Sequence, residues 1–186
     1  MGIFLSTNGG TSWTQVKIYN ENGSEADQAA LAPSDMKTIY VAGHRYPSWN
    51  PILFRSANGG ASWTQVTAPA SQARVTGLAV HPGSPTTVYA TTAWQGNFKS
   101  TDGGSSWTKL SCAAYGAYCV AVNPSNPNEV FIGSSDGIDY SADGGATWTD
   151  LSAGLAAKNV VWIEIDGPGR LAYAGINGGG VCRRSF

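Results

Sequence analysis

A segment of eleven residues that occurs four times constrains this chain more than any other feature of its sequence. The four copies share a serine, an Asn-Gly-Gly or Asp-Gly-Gly turn and a tryptophan at fixed spacing, and they begin at Ser6, Ser56, Ser100 and Ser141. Recurrence at about 40 to 50 residues is typical of solenoids, propellers and other repeat architectures. The repeat unit therefore determines which fold classes are available to the chain.

Each copy is predicted to form a β-hairpin. An Asn-Gly or Asp-Gly pair between two β-prone runs tolerates the positive φ angles of a tight turn, and its side chain accepts hydrogen bonds from nearby backbone groups. The tryptophan recurs in the returning strand, and so large and regularly placed a side chain is expected to pack between neighbouring units. These structural roles fall to Asn8, Trp13, Asn58, Trp63, Asp102, Trp107, Asp143 and Trp148.

A second repeated phrase lies between the hairpins and reads as a strand, a Pro or Gly turn, and another strand. Residues 78–90 and 120–132 align along their whole length, and 29–41 and 163–174 are degenerate copies. Each unit then has four strands, which we call A, B, C and D, with no room for a helix between them. The sequence predicts an all-β fold, a β-propeller of four-stranded antiparallel blades with about four blades in the chain.

The units are expected to form a single domain over residues 1–186. The repeats are placed at about 1–27, 28–70, 71–112, 113–155 and 156–186, and the first and last are partial. Three arrangements remain open: a small ring closed by complementary ends, a half-ring completed by a second copy of the chain, and a piece of a larger protein. Closure removes exposed sheet edges, so the complementary ends favour the first two.

The repeated pattern Ser-x-Asp/Asn-x-Gly-x-Ser/Thr-Trp resembles the Asp-box, or BNR repeat. This repeat occurs in β-propellers of sialidases, xyloglucan-cleaving glycoside hydrolases, sortilin-type receptors and a photosystem II assembly factor. All four copies match every defining position of the pattern. The resemblance implies that the boxes are folding devices on the face opposite the functional site, and that relatives generally have six or more blades.

The loops on the rim away from the boxes are the expected binding surface. Connections A to B and C to D share one rim with the boxes, whereas the longer and more varied B to C and D to A loops lie on the other. Their aromatic residues, with few charges among them, suit stacking on sugar rings or contact with a protein. The alternative is that they only pad loops and blade seams. The candidate ligand-binding residues are Tyr19, His44, Arg45, Tyr46, Trp49, Trp94 and Tyr115.

A catalytic role requires two carboxylates across a glycosidic bond. The resemblance to xyloglucan-cleaving enzymes places a catalytic aspartate just after strand B, where this chain has Ala93, and the Arg-Ile-Pro motif of sialidases is missing. The weak candidates are Asp136, typical of a turn, and Glu164 and Asp166, which share one face of a strand and suit a solvated channel lining. We expect a non-catalytic module that binds a glycan or a protein. A fragmentary or degenerate polysaccharide hydrolase and an assembly scaffold are the alternatives.

Charge and composition limit the classes of partner, cofactor and compartment that are expected for this chain. The net charge of -1 comes without a basic run, so no nucleic-acid partner is expected, and no apolar run of membrane-spanning length occurs. Two histidines and no metal-ligand spacing predict neither a metal nor another cofactor. Cys112 and Cys119 are either bridged or free. The first five residues lack the features of a leader, so a cytoplasmic protein is expected, or an extracellular or periplasmic one if a leader was removed.

Overall fold

The computed structural model describes residues 2–17 and 24–186 and contains only β-strands and their connections there. The strands pair with antiparallel neighbours in chain order and form five separate sheets. In this part of the chain no helix is long and apolar enough to span a bilayer. The predicted all-β fold of four-stranded antiparallel blades with Asp-box hairpins is confirmed.

The sheets follow one another along the chain. The first hairpin comprises β1 (Gly2–Leu5) and β2 (Thr14–Lys17). Sheet 1 comprises β3 (Ser24–Leu31), β4 (Ile39–Arg45), β5 (Asn50–Ser56) and β6 (Thr64–Val66). Sheet 2 comprises β7 (Val75–Val80), β8 (Val88–Thr92), β9 (Asn97–Ser100) and β10 (Thr108–Lys109). Sheet 3 comprises β11 (Ala117–Val122), β12 (Val130–Ser134), β13 (Gly137–Ser141) and β14 (Thr149–Asp150). Sheet 4 has three strands, β15 (Val160–Asp166), β16 (Leu171–Ile176) and β17 (Gly180–Ser185).

The first strands of the four larger sheets lie beside one another and form the inner side of an arc. Strand β3 contacts β7, β7 contacts β11, and β11 contacts β15. The extensive contacts between sheets run in chain order from sheet 1 to sheet 4, and the first hairpin makes a smaller contact with β3. Among the described residues, none of similar extent joins sheet 4 back to the first hairpin.

Each inner strand carries a β-bulge at the same register. The ladder skips one residue near the start of β3, β7, β11 and β15, and the skipped residues are Asp27, Thr76, Tyr118 and Val161. A bulged residue loses its ladder partner, and the local backbone redirects its side chain. The repeat therefore places four bulged residues at one level of the arc.

The apolar core is divided among the seams between successive sheets. Tyr40 of sheet 1 packs with Val80 and Val88 of sheet 2. Tyr89 occupies the corresponding place between sheets 2 and 3, and Phe131 does so between sheets 3 and 4. Stacked sheets bury these side chains from both faces, which is why propeller seams rather than one central core hold such a chain together.

The box turns lock themselves through short polar contacts. In the third copy, Ser100 Oγ donates to Asp102 Oδ1 at 2.8 Å, and Gly104 N donates to Ser100 Oγ at 2.8 Å. The hydroxyl of Ser106 donates to Asp102 Oδ2 at 2.6 Å, and its backbone N–H donates to Oδ1 at 2.9 Å. These bonds, led by those from Ser106, lower the pKa of Asp102 to about 2. The same contacts with Thr147 lower the pKa of Asp143 to about 2.

The boxes share a rim with the A to B connections. Gly59 N donates to Lys37 O at 2.8 Å, Gly103 N donates to Thr86 O at 2.9 Å, and Gly144 N donates to Asn128 O at 2.7 Å. We call this side the box rim. The B to C connections and the starts of the inner strands lie at the opposite end of the sheets, which we call the loop rim.

Two details refine the sequence analysis. The repeat boundary placed between residues 27 and 28 falls inside β3, because that strand already begins at Ser24. The three cysteines are free thiols, so Cys112 and Cys119 are not bridged. Burial raises the pKa of Cys119 to about 12, and it raises the pKa of Cys112 as well. Both therefore behave as small apolar residues.

Candidate functional site

A cleft of about 670 Å³ opens on the loop rim where sheets 1, 2 and 3 meet. This volume lies in the range typical of small-molecule sites. The B to C connections contribute Trp49 and Trp94, and the bulges of β7 and β11 contribute Thr76 and Tyr118. The complete lining is Gln28, Trp49, Gln72, Arg74, Val75, Thr76, Ala93, Trp94 and Tyr118.

The position of Trp49 is set by its own turn and by a buried ring beneath it. Its backbone N–H donates to Arg45 O at 2.7 Å, and its φ of 57° places it in the left-handed region. Its indole stacks on the imidazole of His44, with ring centroids 4.5 Å apart and planes 16° apart. A residue held in so uncommon a backbone conformation needs such support to persist.

A buried carboxylate links sheets 1 and 2 below the cleft. Asp27 Oδ2 lies 2.7 Å from His44 Nδ1, and Asp27 Oδ1 lies 2.5 Å from Arg74 Nη2. The side chains of Asp27 and His44 are 3% and 2% exposed. A buried carboxylate is tolerated when charged or polar partners satisfy both of its oxygens, as they do here. The bulge aims Asp27 at both partners, which belong to different sheets.

The other walls are braced in the same way. Thr76 Oγ1 donates to Ala117 O at 2.6 Å, which joins sheet 2 to sheet 3 at the cleft. The turn that carries Trp94 is closed by Thr92 Oγ1, which donates to Gly96 O at 2.6 Å. Because these hydrogen bonds and the stacking of Trp49 on His44 hold the walls in place before any ligand arrives, little ordering is needed on binding.

The chemistry of the lining is aromatic and neutral-polar. Trp49, Trp94 and Tyr118 are exposed, so their faces are available for stacking. Gln28 and Gln72 supply amides, and Arg74 is the one charged residue among the described residues of the lining. Rings that expose C–H groups on one face and hydroxyls at their edge match such a surface, because stacking and amide hydrogen bonds act together.

The sequence-predicted binding residues are only partly brought together. Trp49 and Trp94 line the cleft, and Tyr46 packs edge-on against Trp49 at 6.2 Å. Arg45 lies at the base of the same turn, whereas Tyr115 is exposed outside the cleft lining. Tyr19 lies outside the described residues. His44 departs from the expectation of an exposed ligand contact, because stacking under Trp49 and bonding to Asp27 bury it.

Sequence reasoning missed Asp27, Gln28, Gln72, Arg74 and Thr76. The positions of Asp27, Gln28 and Thr76 depend on where the inner-strand bulges fall, and an alternation of polar and apolar residues does not locate a bulge. Tyr118, which also lines the cleft, was not among the candidates, and it is the bulged residue of β11. The one sequence feature that could have pointed to these residues was Arg74, a lone basic residue next to the start of an inner strand.

The three carboxylate candidates lie apart. Asp136 occupies the exposed turn between β12 and β13, where its N–H donates to Ser134 Oγ. Glu164 lies on the outward face of β15, opposite Tyr173 in the register. Asp166 ends that strand on the box rim and accepts a bond from Gly169 N at 3.2 Å. None of them lines the cleft. Among residues 2–17 and 24–186, no group of His, Cys, Asp and Glu could hold a metal ion.

The model of the Sortilin-Vps10 family, described as sortilin, neurotensin receptor 3, matches this chain over residues 1–132 and, in an overlapping second match, over residues 51–164. No curated protein matches the chain significantly.

Several solved structures are similar in fold. The crystal structure of the GH74 enzyme of Niastella koreensis is 22% identical with a TM-score of 0.69, and the match covers 83% of this chain and 26% of that enzyme. An ancestral GH74 enzyme is 24% identical with a TM-score of 0.72, and the match covers 93% of this chain and 24% of that enzyme. YCF48 bound to D1 peptide is 15% identical with a TM-score of 0.60, and the match covers 87% of this chain and 55% of YCF48. The chain thus spans about a quarter of the GH74 enzymes' length. These likenesses establish the propeller fold.

Proposed function

The chain belongs to the Sortilin-Vps10 family, and we propose that it is a non-catalytic binding module. Its proposed ligand is a neutral oligosaccharide that occupies the loop-rim cleft. The observation that supports this proposal is the lining itself: three exposed aromatic faces and two amides surround a cleft of about 670 Å³, and no carboxylate is among the described residues that line it. Aromatic platforms stack on sugar faces, and amides bond to the hydroxyls at the ring edge.

A hydrolytic role has less support. Cleavage of a glycosidic bond by the usual route needs two carboxyl groups within about 10 Å of each other, on either side of the bond. Asp27, which bonds to the lining residue Arg74, is buried and also engaged by His44. Asp136, Glu164 and Asp166 lie in a turn, on a strand face and on the opposite rim. Within residues 2–17 and 24–186, the hydrolase alternative therefore has no acid and base at this site.

Binding of a protein segment is the second candidate. YCF48, a structure of similar fold, is described in complex with a D1 peptide. In this chain, Arg74 is half exposed at the cleft, so its remaining N–H groups are positioned to bond a peptide carbonyl or carboxylate. An assembly scaffold is the broader form of the same idea, with the cleft serving as one contact among several.

Direct binding measurements distinguish these candidates. A glycan array that includes xyloglucan and β-glucan oligosaccharides, followed by calorimetry on any hit, should show binding that Trp94→Ala weakens by about tenfold or more. Tyr115→Ala is the matched control, since Tyr115 is an exposed aromatic residue outside the cleft lining. Equal loss in both variants would contradict the cleft as the site.

The same samples test the alternatives. If no glycan binds and a peptide binds in a way that depends on Trp94, the ligand of the cleft is a protein segment and not a glycan. Release of reducing ends from xyloglucan, abolished by Asp136→Asn or Glu164→Gln, would replace the binding proposal with the hydrolase alternative.

A further inference from the structure

The box tryptophans follow a packing rule that one of them breaks. Trp63, Trp107 and Trp148 each pack on an apolar cluster at the seam with the preceding sheet. The indole N–H of Trp107 also donates across its seam to Thr67 O, just after sheet 1, at 2.9 Å. In three of the four copies, therefore, the face that carries the tryptophan is covered by the sheet before it.

Trp13 has no such cover. It is 61% exposed, and Phe4 on the same hairpin is 63% exposed. Phe54, which stands two residues before its box serine just as Phe4 does, is only 3% exposed. In residues 2–17 and 24–186, no sheet packs on the side of the first hairpin that holds Phe4 and Trp13. We call this side the hairpin face.

A second uncovered surface that exposes large apolar side chains lies at the other end of the arc. Trp162 and Val181 are 46% and 71% exposed, and both are register partners of Gly175 on the central strand of sheet 4. The alternate residues Ile163, Ala172 and Ala174 point into the seam with sheet 3. The outward side of sheet 4, which we call the end face, is therefore the side that a following sheet would cover.

The end face is shaped for a partner without an inner strand. Trp162 holds the register position of Gly77 and Cys119 in the two sheets before it. At Gly77 a β-carbon would come within 3.1 Å of Cys119 Cα, so the inner strands of sheets 2 and 3 approach each other very closely. An indole at this position excludes such an approach. The first hairpin consists of only two strands, which match the outer C and D strands of a blade, and so it leaves this inner space to Trp162.

We infer that two copies of this protein associate head to tail, with the hairpin face of one copy packed on the end face of the other. Each face exposes large apolar side chains, and the three internal seams show which surface covers a box tryptophan. The end face also carries Glu164 and Arg183, both register partners of Tyr173. The contact is heterologous, so two copies joined by two such contacts close a ring, and an open arrangement continues into larger assemblies. In either case the assembled species contains more than one chain.

Light scattering and analytical ultracentrifugation of the purified chain test this inference. We expect a mass above the 19.4 kDa of one chain, with a concentration dependence that gives a dissociation constant. Phe4→Lys on the hairpin face and Val181→Lys on the end face should each raise that constant by about tenfold or more. Trp13→Ala and Trp162→Ala are second variants for the two faces. Tyr115→Ala, an exposed change away from both faces, should leave the mass unchanged.

Mixing the variants distinguishes this contact from other modes of self-association. Each variant keeps one intact face, so an equimolar mixture of Phe4→Lys and Val181→Lys should form a two-chain species that neither forms alone. A contact between like faces would not recover in this way. A mass of one chain at every concentration, an assembly that survives both substitutions, or a mixture of folded variants that stays monomeric would each overturn the inference.

Discussion

Asp27 Oδ1 lies 2.5 Å from the guanidinium of Arg74, and this contact joins sheet 1 to sheet 2 directly below the candidate site. The second oxygen of the same carboxylate bonds to His44, whose ring supports Trp49. Asp27 thus sets the positions of two residues that line the cleft, Arg74 directly and Trp49 through His44. The geometry of the cleft depends on Asp27 although the ligand would not touch it.

Replacement of Asp27 should therefore loosen both walls. Asp27→Ala leaves the buried His44 without its partner and removes the tie to Arg74, so we expect a loss of unfolding free energy of about 1–3 kcal/mol. We also expect faster acrylamide quenching of tryptophan fluorescence, because Trp49 loses its fixed support. Urea denaturation and quenching measure the two effects. Glu25→Gln is the control, since the exposed Glu25 carboxylate lies 3.9 Å from His44 Nε2, and it should change stability by less than about 0.5 kcal/mol.

The second glycine of each box allows a test of seam packing against backbone strain. Gly104 has a φ of 89°, and an added β-carbon would lie 2.9 Å from Val66 Cγ2 across the seam. Gly10 occupies the same place in the first box, with a φ of 88°, but its β-carbon would meet only Trp13 at 3.9 Å. Both alanine variants bear the cost of a left-handed conformation, about 1–2 kcal/mol. Gly104→Ala should cost a further ~1–3 kcal/mol for overpacking, measured by thermal or urea unfolding.

Equal destabilisation by the two variants would show that Val66 moves away from the added β-carbon without a measurable cost in unfolding free energy. In an assembly that covers the hairpin face, Gly10→Ala also becomes a seam substitution, so this comparison is made at a concentration where the chain is monomeric.

The repeat made the architecture predictable, whereas the site depended on details that repeats do not encode. Four boxes with a tryptophan at constant spacing defined the hairpins, the blade and the rim on which function was sought. The aromatic loop residues Trp49 and Trp94 followed from that topology. Asp27 and Thr76 did not, because a one-residue bulge shifts which side chains point to the rim without changing the pattern of apolar residues. His44 was predicted to contact the ligand because it precedes a polar loop. Nothing in the sequence indicated that Asp27 would bond to its ring or that Trp49 would cover it.

Acid should destabilise the protein partly through two boxes. Hydrogen bonds hold the pKa of Asp102 and Asp143 at about 2, below the value of 3.8 for a free carboxyl. Because the folded pKa lies below the unfolded one, the stabilising contribution is complete above about pH 4 and is lost as the pH falls towards 2. The double variant Asp102→Asn, Asp143→Asn converts these turns to the type that the chain already has at Asn8 and Asn58. Its unfolding free energy should vary less between pH 5 and about pH 2.5 than that of the unmodified chain.

The matched control for the acid experiment is Asp136→Asn, a change in an exposed turn that lacks the box contacts. It should retain the steep acid dependence of the unmodified chain. Parallel pH profiles for the unmodified chain and the double variant would contradict a role of these two carboxylates in acid stability.

Thiol reactivity should report on β11, the inner strand of sheet 3. Burial raises the pKa of Cys119 from 9.0 to about 12, which lowers its thiolate fraction at neutral pH roughly 10³-fold relative to a free thiol. Brief treatment of the native protein with iodoacetamide at pH 7.5, read by peptide mass spectrometry, should leave Cys119 unmodified, whereas the same treatment in guanidinium chloride should alkylate all three cysteines. Cys119→Ala tests the packing role of the thiol: it should cost about 1 kcal/mol, as expected for a small buried apolar group. Rapid native labelling of Cys119, or an intact mass reduced by two thiol hydrogens, would show that this strand is open or that Cys112 and Cys119 are bridged.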